Sequence, residues 1–255
     1  MTNELRSPFL AITLSLFVMW LSVWIGVLLR KRHQDLDPDV CHDIEIILAS
    51  TLTLLGLIIG FSFSMAINRY DQRKNYEEAE ANAIGTEYVR AGLLPAADGA
   101  RVRTLLRDYL DQRILLYQTR DEHDLQRVDA RTAQLQTELW SAVQVPATAQ
   151  PNPVLALVLS GMNDVLNSQG YTQAAWWNRI PMGAWVLMVT VAICCNLLVG
   201  YTAHRAAEGF VRLLILPIVL SIAFFLIADI DSPRSGVIRV LPQNLMSLAQ
   251  SLNAR

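Results

Sequence analysis

Charge is scarce in this chain of 255 residues. Lys, Arg, Asp and Glu make up 17% of it and the net charge is −2, where an ordinary soluble domain carries about 25% charged residues. With 53% hydrophobic residues, that shortage excludes both a single ordinary soluble domain and a disordered chain. Near-neutral charge leaves no basic surplus for DNA or RNA, so nucleic acid is not an expected partner. Cysteine is rare too. Cys41, Cys194 and Cys195 cannot build a disulfide framework, and the adjacent pair lies inside an apolar run, where it reads as two small buried residues. The histidines, His33, His42, His123 and His204, do not pair with each other or with a cysteine at metal-ligand spacing.

Catalytic constellations are missing as well. Gly60-Phe61-Ser62-Phe63-Ser64 lacks the second glycine of a nucleophile elbow, and no strand pattern precedes it. No glycine-rich loop cradles phosphate, and no acidic pair has a histidine partner. An enzyme is therefore not expected, and no cofactor is implied. Asp229 and Asp231, which flank Ile230, are a possible cation site, but two carboxylates make an incomplete shell for a calcium ion.

Long apolar runs are abundant. A hydrocarbon core about 30 Å thick takes about 20 apolar residues in a helix. Four runs qualify: Phe9–Leu29, Ile44–Ile67, Met182–Tyr201 and Val211–Ala228. The first is too long for a signal peptide and is closed by Arg30-Lys31-Arg32 rather than by a small-residue cleavage site, which fits a retained span. Trp20, Trp24, Trp176, Trp177 and Tyr201 fall near run ends, where amphipathic rings favour the interface. The central part of each run is uncharged, which argues against transport coupled through buried carboxylates.

The charges gather between the second and third runs. Residues 68–180 hold 12 Lys/Arg and 14 Asp/Glu. Asn68 to Ala91 continues the second run until Gly92 and Pro95 end it. Asp98 is a candidate cap for a helix from Gly99 to about Thr119, with Val102, Leu105, Leu106, Tyr109, Leu110, Ile114 and Tyr117 at three- and four-residue steps. Asp121 is a candidate cap for another to about Val143, with Leu125, Val128, Leu135 and Leu139 on one face. Residues 146–153 read as a linker, after which Asn152 and Pro153 suit an N-cap and first helical position.

The fold expected is an all-α membrane protein: four transmembrane helices with a cytoplasmic helical bundle. Residues 1–67 hold the first two spans, 68–180 the insert, 181–228 the last two spans and 229–255 a C-terminal segment. Basic residues near span ends set orientation. Arg6, Arg69, Arg73, Lys74, Arg179, Arg234 and Arg239 lie on one side, and Arg30, Lys31, Arg32, Arg205 and Arg212 on the other. The larger set places the insert and both termini in the cytoplasm.

The second run carries the most polarity: Ser50, Thr51, Thr53, Gly56, Gly60, Ser62, Ser64 and Asn68. Steps of three and four give a row Thr53, Leu57, Phe61, Ser64, Asn68. That is a polar mouth, two apolar rings and a polar exit. Around a symmetry axis Leu57 and Phe61 would form a constriction that gates by dewetting. Small residues four apart, Gly56 and Gly60, equally suit close helix packing.

The segments Leu54 to Arg73, Glu80 to Thr86, Arg107 to Arg113 and Ile227 to Gly236 together resemble the signature of bacterial bestrophin-like membrane proteins of unassigned function. More distantly, the chain is similar to the bestrophins. That resemblance implies a pentameric ion channel with four spans per subunit and cytoplasmic termini, in the bacterial inner membrane. Its partners would be the lipid bilayer, further copies of itself and small inorganic ions. Gly60-Phe61 and Arg69-Tyr70 match the spacing of the bestrophin pore segment, and the neck positions would fall on Phe61, Leu57 and Thr53. Thr53 is polar where the neck is usually apolar, and Tyr70-Asp71 replaces tryptophans. Ile230-Asp231-Ser232-Pro233 is similar to the start of the bestrophin calcium segment, but Arg234 stands for Phe and the later acidic residues are missing. Anions such as chloride are the first expectation, because the row has no acidic ring. Arg69 would add a positive ring if it faced the axis, or pair with Asp71 or Glu77. A cation channel of the same architecture and a non-conducting scaffold or sensor, whose insert binds a partner, are the alternatives.

Overall fold

The computed structural model describes residues 8–32, 38–149, 152–203, 210–234 and 236–254. Arg6, His33, Gln150, Pro151, His204, Arg205 and Ser235 lie outside the described residues, as does the side chain of Cys41. Eight α-helices follow in order among the described residues: α1 Pro8–Arg32, α2 Pro38–Arg90, α3 Ala96–Gln118, α4 Glu122–Ala149, α5 Pro153–Trp177, α6 Met182–Thr202, α7 Phe210–Asp231 and α8 Gln243–Asn253, with a single 3₁₀ turn, Ala91–Leu93, after α2. No strand occurs among them. Four helices are long and apolar enough to cross a membrane by length and composition.

Two compact units divide the chain. The first takes the residues up to Asn68 with Arg179–Arg239. Its core is Met19, Leu55, Met188, Ala192, Cys195, Leu220 and Phe224, with Trp185 edge-on to Phe224 at 6.4 Å. Helices α1 and α6 cross at two glycines. A Cβ at Gly200 would collide with the Val23 carbonyl, and one at Gly26 with the Leu197 carbonyl. This is the small-residue contact by which spanning helices approach closely. Inside that packing the Asn196 amide donates to the Ala192 carbonyl at 2.8 Å and to the Met19 sulfur at 3.3 Å. Pro217 sits within α7, a placement that spanning helices tolerate better than soluble ones. Only one of the two adjacent cysteines is buried: Cys195 joins the core while Cys194 is exposed. Neighbours in a helix point about 100° apart, so both could not face one seam.

The second unit takes Arg69–Asn178 with Val240–Arg255. Ile84, Val102, Leu106, Tyr109, Leu110, Leu135, Leu139, Val143, Val158, Met162, Val165 and Leu245 form its core. The apolar positions read for α3 and α4 lie there or pack against it, Val128 and Leu125 in a side cluster with Trp176. Trp176 is thus a bundle residue and not an interfacial one, its ring edge-on to Tyr117 at 5.1 Å; Trp177 is exposed.

Two caps follow the sequence expectation. Asp121 Oδ1 accepts the His123 and Asp124 N–H groups at 2.9 and 3.2 Å, and Asn152 Oδ1 accepts Val154 N–H at 2.8 Å with Pro153 at the helix start. Two expectations fail. Helix α3 begins at Ala96, behind Pro95, and Asp98 lies inside its first turn. The linker read from residue 146 is helical as far as Ala149, with Pro146 buried inside α4. A proline in the last turn costs one backbone bond, and burial beside Val143 offsets it.

Candidate functional site

The 53-residue α2 has one packed face and one open face. Leu55 is 1% exposed, Ser62 and Ala66 are also buried, and Leu57 and Phe61 are 55% and 63% exposed. At 3.6 residues per turn the row Thr53, Leu57, Phe61, Ser64, Asn68 points roughly opposite to the Leu55–Ser62–Ala66 seam. All five are exposed in the single chain. A Cβ at Gly56 or Gly60 would meet nothing within 4 Å, so within one chain these glycines do not serve close packing. The hydroxyls are back-bonded along the helix: Ser50 to the Ile46 carbonyl at 2.9 Å, Thr51 to Ile47 at 2.6 Å and Thr53 to Ala49 at 2.9 Å. Their protons are thereby used, and the outward oxygens remain acceptors.

Arg69 is half-buried and engaged by a neighbour, whereas Asp71 is exposed. Glu77 is held by α8, its oxygens accepting Asn244 Nδ2–H at 2.7 Å and Leu245 N–H at 2.9 Å.

Asp229 and Asp231 are both buried. Asp229 accepts the Val237 and Ile238 N–H groups at 2.8 and 2.7 Å, a turn that needs Gly236, because a Cβ there would lie 2.6 Å from the Asp229 carbonyl. Asp231 accepts Ile180 N–H at 3.0 and 3.2 Å. Both carboxylates thus organise backbone at the ends of α7 and α6. No group of three or more His, Cys, Asp or Glu stands together among the described residues.

A buried charged seam in the second unit was not expected. From Arg73 the packed face of α2 runs Arg73, Glu77, Glu80, Ile84, Glu87, all buried. Arg73 Nε donates to the Ala175 carbonyl at 3.3 Å. Glu80 forms a salt bridge with Arg113 and accepts the Thr172 hydroxyl at 3.1 Å. Burial, with the Glu80 charge adding, pushes the Tyr109 and Tyr117 phenols up. The three- and four-residue spacing of 73, 77, 80, 84 and 87 was the available signal.

A family model for the bestrophin-like domain matches residues 12–245. The chain belongs to the bestrophin-like family. Crystal structures of a bacterial bestrophin homolog from Klebsiella pneumoniae share its fold at 15% identity and TM-score 0.63, covering 95% of this chain and 97–98% of theirs. A crystal structure described as that of a membrane protein aligns at 13% identity and TM-score 0.65 over 94% of this chain and 97% of its own. No curated protein matches. This bestrophin-like chain is therefore an all-α membrane protein, and its family suggests an ion channel.

Proposed function

We propose that the protein is a homo-oligomeric ion channel of the bacterial inner membrane, a pentamer by family resemblance, with α2 lining the pore. Leu57 and Phe61 form its neck, and the insert and both termini are cytoplasmic. The observation that carries this reading is the row Thr53, Leu57, Phe61, Ser64, Asn68, exposed in the protomer and opposite the packed seam of α2. A face presented to lipid has no use for Thr, Ser and Asn between its apolar residues, whereas a wet wall interrupted by a dewetting ring does. The reading assigns no reaction to the chain.

The permeant ion is the finer point. The span's row carries no fixed charge, which kept anions such as chloride as the first expectation. The cation alternative gains support from position: the positive candidate, Arg69, is half-buried and engaged, and of the exposed charges Asp71 and Lys74 just beyond Asn68, Asp71 is the one that continues the face of the row. Repeated around an axis, that residue would make an acidic ring of the kind cation channels use.

Conductance of the reconstituted protein under a KCl gradient tests both levels. Current is expected, with a reversal potential on the potassium side and a shift toward chloride in Asp71→Asn. Leu57→Ala and Phe61→Ala should raise the current by easing wetting of the neck. Silence in the native chain and in both neck variants would overturn the channel and favour the scaffold; reversal at the chloride potential would restore the anion reading.

A further inference from the structure

Glu87 is the member of the α2 seam whose carboxyl has no hydrogen-bond partner. Glu77 holds the start of α8 and Glu80 holds Arg113, but neither carboxyl oxygen of Glu87 has a hydrogen-bond partner, although the residue is fully buried. Its carboxyl lies against the backbone of α5. A Cβ at Gly161 would collide with that carboxyl and with the Arg90 guanidinium. The charges acting on it are Arg90, one turn along α2, and Asp164, one turn beyond Gly161 on α5. The nearby basic groups of α3 are engaged elsewhere: Arg103 donates to the Tyr88 carbonyl at 3.2 Å, and Arg107 to the Tyr88 hydroxyl at 2.8 Å and the Leu252 carbonyl at 2.9 Å.

A carboxylate in such a place loses its water and gains no donor, so the neutral acid is favoured. Burial outweighs the lowering by Arg90, and Asp164 adds to it; together they push the carboxyl from 4.5 to about 8. We propose that Glu87 is a protonation switch on the α2–α5 seam, neutral while the seam is closed over Gly161 and charged when the seam opens. The carboxyl holds its proton more tightly closed than open. Its contribution to closure is complete below about 4.5 and is lost progressively as the pH rises to about 8. Above that the closed seam has lost the proton too, and the effect levels off. The switch concerns the seam and stands whether or not the protein conducts.

The test is hydrogen exchange of α5 in the full-length protein in lipid vesicles, read between about pH 5.5 and 9 and corrected for intrinsic rates. In the native chain, opening of the Gly161 region should rise up to about tenfold per pH unit and flatten near pH 8. Glu87→Gln, which keeps the neutral shape, should be flat throughout. Asp164→Asn removes a charge that raises the carboxyl, so its curve should flatten at a lower pH. Infrared titration of the native protein should show one protonated carboxyl lost near pH 8. A Glu87→Gln curve that matches the native one, a native curve without pH dependence, or no carboxyl titrating near pH 8 would each overturn the proposal. If Glu87→Gln does not fold, the native infrared titration and the Asp164→Asn curve decide it.

Discussion

Arg113 and Glu80 are 1% and 0% exposed as side chains, yet they carry opposite full charges in the middle of a helical core. Removing two ions from water is costly, and only close pairing with further hydrogen bonds offsets it. Here the second Arg113–Glu80 contact at 3.3 Å and the Thr172 hydroxyl at 3.1 Å supply part of that offset. The consequence is asymmetric. Arg113→Met leaves Glu80 buried without its counter-ion and should cost about 3–5 kcal/mol, whereas Arg113→Met with Glu80→Leu should recover most of the loss. Chemical denaturation of the four combinations measures the coupling directly. Losses of the two single variants that simply add up in the double variant would show that the pair is not what holds α2 and α3 together.

At the scale of the element, α8 shows how one helix is finished by another. Its N-cap position is Pro242, which offers no side-chain acceptor, and the first-turn N–H groups need one. Glu77 of α2 supplies it from outside, accepting Leu245 N–H and the Asn244 amide, with its negative charge at the favourable end of the helix. Arg107 closes the far end by donating to the Leu252 carbonyl. Glu77→Ala should therefore loosen α8 by about 1–3 kcal/mol. Faster hydrogen exchange and proteolysis over residues 243–253, with α4 unchanged, would be the readout; unchanged protection of α8 would show that Leu245 and Leu252 alone hold it. This helix was not legible from sequence. Its 11 residues alternate Leu with Gln, Ser and Asn at the chain's end, and its partner is remote. The same logic explains the rest of the balance. The long spans and the caps Asp121 and Asn152 are local signals that no distant partner overrides, whereas burial of Pro146 overrides the local linker signal. Nothing local to α2 marks its charges as buried, yet Arg73, Glu77, Glu80 and Glu87 turn inward because partners far along the chain receive three of them. The exposed row of α2 was legible because its three- and four-residue steps involve one helix only.

At the scale of the whole molecule, a face that is open in one chain requires something to meet. Leu55 and Leu57 lie two residues apart on α2, 1% and 55% exposed, so the helix itself separates a side turned to its own subunit from a side turned away. If copies surround an axis with the second side inward, Phe61 approaches its counterparts in neighbouring subunits most closely at the neck. Phe61→Cys, in a background with Cys41, Cys194 and Cys195 replaced by Ala, should then form covalent dimers of subunits under mild oxidation in the membrane, because paired Cα atoms must come within about 7 Å. Leu55→Cys in the same background should stay monomeric on a denaturing gel, its side chain being enclosed by its own subunit. Hydrophobic burial does not drive helices together in lipid, so self-association of such a chain has to come from shape and from the polar positions of the same row. Asn68→Ala should accordingly weaken the Phe61→Cys crosslink without abolishing it. A Phe61→Cys chain that stays monomeric at every oxidant strength, while a Cys placed on exposed Val219 of α7 crosslinks freely, would place the subunit contact on α7 and remove α2 from the axis.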